Sequence, residues 1–172
     1  VSYEEHNRAR IKGAVNVPFS DTLAGRLSAN VGIGDGWMDN VGNGASEIKD
    51  LDRWSVKGQL AWEPSEDVDV WLSFDYSELD EKCCLPVKST NDPGDASFNQ
   101  PLAAAIGSND TIPANINDTV VGTNITPRYK AEDVGVALEV NWDIGDITLT
   151  SLTAYRDFSD SNFKDNDFTG VD

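Results

Sequence analysis

Carboxylates are the most plentiful chemically active side chains in this sequence. The 172 residues carry 30 acids against 13 bases, a formal net charge of −17. Asp35, Asp39, Asp50 and Asp52 lie on or beside one polar connection, and Asp157, Asp160, Asp165 and Asp167 follow the last apolar segment. Oxygen-rich loops can hold calcium, but the spacing does not fit an EF-hand loop, and hydrated loop carboxylates are the simpler reading. Paired carboxylates can also act as acid and base, yet nothing selects two of them for that work. The single histidine, His6, lies at the start of the chain, and no serine–histidine–acid or cysteine–histidine arrangement is evident. No enzymatic activity, catalytic residue, cofactor or metal site is therefore expected.

Cys83 and Cys84 are the only cysteines and are adjacent. They can close a local ring, stay reduced or pair outside the chain, but they cannot staple distant segments together. Zinc is not expected with one distant histidine. Gly32, Gly34 and Gly36 form GIGDG, which has the glycine spacing of a phosphate loop. No helical pattern follows it, so these glycines read as points of bending or close packing near a strand end. Asn109, Asn117 and Asn124 each open an N-x-Thr sequon within a polar stretch. The acidic balance argues against nucleic acid as a partner, because phosphates would be repelled.

The elements that must position these groups are strands. Alternation of apolar and polar residues, broken by turn residues, marks six of them at about 7–19, 22–34, 53–63, 67–78, 129–143 and 147–158. In the third, Trp54, Val56, Gly58, Leu60 and Trp62 share one face. In the fourth, Val68, Val70, Leu72, Phe74 and Tyr76 do the same. The sixth, ITLTSLTAY, fits either parity, and placing Leu149, Ser151, Thr153 and Tyr155 on the apolar face is favoured. The opposite faces collect Arg8, Arg10, Lys12, Arg26 and Lys57 beside Glu63, Asp67, Asp69, Asp75 and Glu139. Such a wall could contact another domain through ion pairs or simply be hydrated. The only helical signal is one short turn at 101–106, PLAAAI.

The connections sort by length. SD, PSED and DIGD are short; the stretches at 35–52 and 82–128 are long and rich in Gly, Asn and Asp. Short and long alternate, so a meander would put all short turns at one end and all long loops at the other. Membrane barrels have that asymmetry, whereas a long structureless loop suits a compact soluble domain poorly. The eight residues from Trp54 to Trp62 span ~27 Å, or ~20 Å along a membrane normal at a tilt near 40°. That is close to the apolar band of ~25 Å, flanked by aromatics, on such barrels. No signal peptide and no apolar run of ~20 residues is visible, and spanning strands need neither. The expected fold is all-β, an antiparallel up-and-down meander of about six strands forming part of a transmembrane β-barrel. The alternative is a soluble secreted β-sandwich that binds carbohydrate or another surface; a passive porin is a further reading.

The segments GAVNVPFSDTLAGRLSANV (13–31), DGWMDN (35–40), DRWSVKGQLAWEPSEDVDVWLSFDYSELDEKCC (52–84) and LTSLTAYRDF (149–158) resemble, in order, the early barrel region of a TonB-dependent outer-membrane receptor. The resemblance implies a barrel of about 22 strands closed by a plug domain. It implies bacterial outer-membrane localisation and TonB-driven uptake of a ferric siderophore, haem, cobalamin or saccharide. The implied partners are outer-membrane lipid, the receptor's own plug, the TonB complex and the small-molecule ligand. No plug, TonB-contacting segment or barrel-closing strand is recognisable, so 1–172 reads as part of a receptor barrel. Residues 82–128 are the expected place of ligand contact or loop closure, without named contacts.

Overall fold

The computed structural model describes residues 1–40, 44–84, 120–121 and 123–165, and every structural statement below concerns these. They form ten strands and no helix. In chain order these are β1 (Ser2–Glu4), β2 (Arg8–Pro18), β3 (Leu23–Gly34), β4 (Met38–Asn40), β5 (Glu47–Ile48), β6 (Leu51–Ser65), β7 (Val68–Glu81), β8 (Val120–Val121), β9 (Arg128–Ile144) and β10 (Ile147–Phe163). Seven build one sheet in the order β1-β2-β3-β6-β7-β9-β10. Every neighbouring pair in it is antiparallel, so it is a meander, and it is not closed into a barrel.

Local chemistry explains the turns. Gly145 lies at φ 66° in the two-residue link between β9 and β10, where a hairpin requires the left-handed region. Pro64 has no N–H for the β6–β7 ladder, and the register slips between Trp62 and Ser65. The neighbouring Glu63 N–H instead donates to the Thr22 carbonyl at 2.8 Å. The strand thus runs through Pro64 to Ser65, and only Glu66 and Asp67 remain as the turn, rather than all of PSED. His6 is not a loose end. With Asn7 it adopts positive φ in the turn that folds β1 back on β2. The last strand continues beyond 158 to Phe163.

The two long connections are not plain loops. β4, β5 and β8 form a second sheet of order β5-β4-β8, with β4 and β8 parallel. Asn40 extends this pairing with its side chain. Its amide donates to the Thr123 carbonyl (3.1 Å) and accepts from the Thr123 N–H (2.9 Å). Met38, Ile48 and Val121 are buried together, with Trp37 packed against them. Among the described residues, the buried apolar side chains are these three with Leu51, Cys83, Pro127 and Ala131. All lie at the long-connection end. The long sheet has no core of its own, because no described element packs across either of its faces. Residues 101–106, with their expected helical turn, lie outside the described residues, as do Asn109 and Asn117.

Gly36 is where the small sheet closes on itself. A Cβ there would sit 2.6 Å from the Ile48 carbonyl oxygen and 2.8 Å from its nitrogen, which are backbone atoms that cannot swing away. Gly36→Ala should therefore destabilise this unit by ~1–3 kcal/mol. Amide exchange at Met38 and Ile48 should speed up, while exchange along β9 stays unchanged.

Candidate functional site

The register aligns the apolar rows of all the long strands. Val15, Leu27, Gly58, Phe74, Val136 and Tyr155 form one continuous row. Leu149 pairs with Trp142, and Tyr155 with Val136, so the favoured parity of the last strand is the one adopted. These side chains are half exposed, Leu27 at 54% and Phe74 at 47%. Aromatics mark the limits of the face. Trp62 and Trp142 lie near the short turns, and the Trp54 ring lies 5.1 Å from that of Tyr76, tilted by 40°, towards the other end.

The apolar band is slanted across the sheet. The row through Trp62 continues as Val70, Val140 and Ser151, which is four residues short of the last apolar position, Ile147. The row through Trp54 continues as Glu78, Glu132 and Ser159, four residues past Tyr155. Both limits thus shift by the same amount between β6 and β10. Four residues of rise, ~13 Å, across three strand spacings, ~14 Å, make a slant of ~40°. Each of β6, β7 and β10 contributes the same length to the band: 54–62, 68–76 and 147–155.

Beyond Tyr76 and Val134 the same face becomes charged. Arg128 donates to Asp80 (2.6 Å), and Lys130 contacts Glu132 (2.9 Å) and Glu78 (3.8 Å). The Arg128 guanidinium, hydrogen-bonded to Asp80, holds that carboxyl below the usual carboxylate range.

The opposite face is largely polar and carries ion pairs of its own. Arg156 bridges Asp133 (2.6 Å) and Asp75 (3.0 Å), reaching across Gly135. A Cβ on Gly135 would lie 2.6 Å from Arg156 Nη2, so the missing side chain is what lets the guanidinium cross the strand. Arg53 makes a two-point contact with Glu81 (2.7 Å each), whose residue is only 6% exposed. Of the cations expected on this face, Arg10 pairs with Glu4 (3.7 Å), Arg26 donates to Asn16 (3.0 Å), and Arg8 donates to the Lys49 and Asp35 carbonyls. No ion pair joins Lys12 or Lys57 to an acid among the described residues. Trp71, Leu152 and Phe158 interrupt the polarity of the face.

The loop carboxylates are scattered over separate tasks. Asp35 accepts from Asn7 (2.6 Å), Asp50 from the Lys82 N–H (2.6 Å), and buried Asp165 from Thr123 (3.0 Å). Asp167 lies outside the described residues. Among the described residues no three His, Cys, Asp or Glu side chains could jointly hold a metal ion. Cys83 and Cys84 are joined to each other as a disulfide.

No match was found to a protein-family model, to a curated protein or to a solved structure.

Sequence reasoning missed Arg53 and Arg156, the two cations that organise the polar face. Their charge was visible, but their partners follow only from the register. Arg53→Ala should cost ~2 kcal/mol by leaving the nearly buried Glu81 carboxylate unpaired. Arg53→Lys should restore about half of that, because a lysine supplies the charge without the two-point geometry. Denaturant midpoints of the chain in detergent micelles give both values.

Proposed function

We propose that this chain is a wall segment of a bacterial outer-membrane β-barrel that takes up a scarce nutrient, in the manner of TonB-dependent receptors. The slanted apolar band carries the reading. A flat hydrocarbon layer wetting tilted strands leaves a band of this kind, and strands of membrane barrels tilt by ~35–45°. The ~40° obtained from the register falls in that range. The order of matching segments in the sequence supports the same family.

Energetics favour an apolar solvent on this face. Covering the exposed half of roughly a dozen large apolar side chains is worth ~1 kcal/mol each, ~10 kcal/mol in all. That is comparable with the whole stability of an ordinary domain. A sandwich would supply the cover from a second sheet, but none of the described elements lies there. Lipid is the occupant that fits an uncovered band with aromatic limits and a charged margin.

In this arrangement the polar face lines the barrel interior, where a plug would sit. The turns at Ser20, Glu66 and Gly145 face the periplasm, and the small sheet lies outside the cell. The cargo belongs to the class of ferric siderophores, haem, cobalamin or saccharides.

Two measurements on bacteria carrying the intact gene test the proposal. An epitope inserted at 101–106 should be labelled on whole cells, and one at Glu66 only after the outer membrane is permeabilised. Deleting the gene should abolish uptake of one member of a panel of those four cargo classes, and removal of TonB should do the same. Labelling of both epitopes on intact cells, or unchanged uptake of the whole panel, would contradict it. A lysine at mid-band should be costly on one face only. Phe74→Lys should lose ~2–4 kcal/mol of stability in lipid vesicles, while Ser73→Lys should lose less than ~1 kcal/mol.

A further inference from the structure

The end of β7 carries a reactive group that the uptake reading does not use. In the Cys83–Cys84 disulfide, Cys83 is buried at 8% exposure and Cys84 is exposed. Cys84 lies at φ 88°, in the left-handed region that L residues other than glycine seldom enter. Lys82, directly before Cys83, is the clamp between β7 and the small sheet. Its carbonyl accepts from the Lys49 N–H (2.6 Å), its own N–H donates to Asp50 Oδ1 (2.6 Å), and its ammonium lies 3.7 Å from Asp50. Lys49 is also left-handed, at φ 68°, and its carbonyl accepts from Arg8. Directly before it stands Ile48, fully buried in the small sheet's core.

We propose that Cys83–Cys84 is a thiol-exchange site for a small-molecule thiol, and that its oxidation state sets the grip between β7 and the small sheet. A left-handed cysteine persists only while something holds it there, and the ring between adjacent cysteines is that hold. When the ring opens, Cys84 relaxes to negative φ. The peptide planes on either side of Cys83 turn, and the Lys82 carbonyl moves off the Lys49 N–H.

Exposure directs the chemistry. An incoming thiolate attacks the accessible Sγ of Cys84, and the Cys83–Cys84 bond breaks as the new sulfur–sulfur bond forms. Cys83 leaves as thiolate and takes up the proton that the incoming thiol gave up. The product is a mixed disulfide on Cys84 and a thiol on Cys83. A second thiol can then remove the first as a symmetrical disulfide, so both electrons come from the small thiol.

Glutathione is a suitable probe. The intact gene product in detergent micelles is incubated with it, quenched with acid and mapped by mass spectrometry, and amide exchange at Lys49 is followed alongside. The expected adduct is on Cys84 with Cys83 as free thiol, and full reduction should speed Lys49 exchange about tenfold. Glycine supplies the backbone freedom without the ring. The double variant Cys83→Ala, Cys84→Gly should keep the slow exchange of the oxidised chain, and Cys83→Ala, Cys84→Ala should exchange as fast as the reduced chain. Adduct formation on Cys83 would overturn the inference, as would Lys49 exchange that is equal in the oxidised and reduced chains. Neither outcome bears on where the apolar face resides.

Discussion

Two-residue alternation, held in register from β2 to β10, is the constraint on which the rest of this molecule depends. A slip of one position at any strand pair would exchange that strand's two faces. Leu27 would then stand among the lysines and Arg156 among the valines. Because no such slip occurs across β3, β6, β7, β9 and β10, one face is apolar over a limited height and the other is mostly polar, interrupted by Trp71, Leu152 and Phe158. The one irregularity, at Pro64, falls beyond Trp62, where it re-aims the turn and sets Ser65 opposite Val68, while the rows from Trp54 to Trp62 stay in register. The slant of the band is a consequence of the same register, since it can be measured only because each row is continuous.

Stability is distributed unevenly as a result. The long sheet is held by its ladders, by cross-strand ion pairs such as Arg156 with Asp75 and Asp133, and by whatever covers its apolar face. Buried side chains gather instead at the long-connection end. There Met38, Ile48 and Val121 form a small core, Asn40 imitates a strand for Thr123, and Arg53 holds Glu81. Lys82 and Lys49 tie this unit to β7, and the disulfide lies at the same junction. The two ends of the molecule therefore answer to different solvents. One is a small, dry protein core, and the other is a broad face that, on the uptake reading, is finished by lipid.

Much of the long sheet was legible because period two survives in the sequence wherever one face is apolar. Even ambiguous ITLTSLTAY took the parity in which Leu149 and Tyr155 continue the rows of Trp142 and Val136. Short segments were not legible. β1, β5 and β8 have two or three residues each, too few for any period, and β8 exists because its partner comes from far along the chain. Pairing of β4 with β8 joins residues about 80 apart in sequence, and no local pattern announces that contact. The ion pairs were not legible for a related reason. Charge and face were readable, but the reach of Arg156 over Gly135 requires knowing which residue stands opposite which. The turn at His6 was not legible either, because a left-handed turn at a histidine has no glycine to mark it.

The central claim is that lipid covers the apolar face and not the polar one. The five tryptophans test it directly, because the register divides them between environments. Trp54, Trp62 and Trp142 belong to the band, Trp71 stands on the polar face beside Glu139, and Trp37 packs in the small sheet. Five variants that each keep one tryptophan, with phenylalanine at the other four positions, can be placed in vesicles of phospholipid brominated on the acyl chains. Fluorescence should be quenched for Trp54, Trp62 and Trp142 and spared for Trp71 and Trp37. Quenching of Trp71 as strong as that of Trp62, or no quenching of the three band residues, would contradict the account.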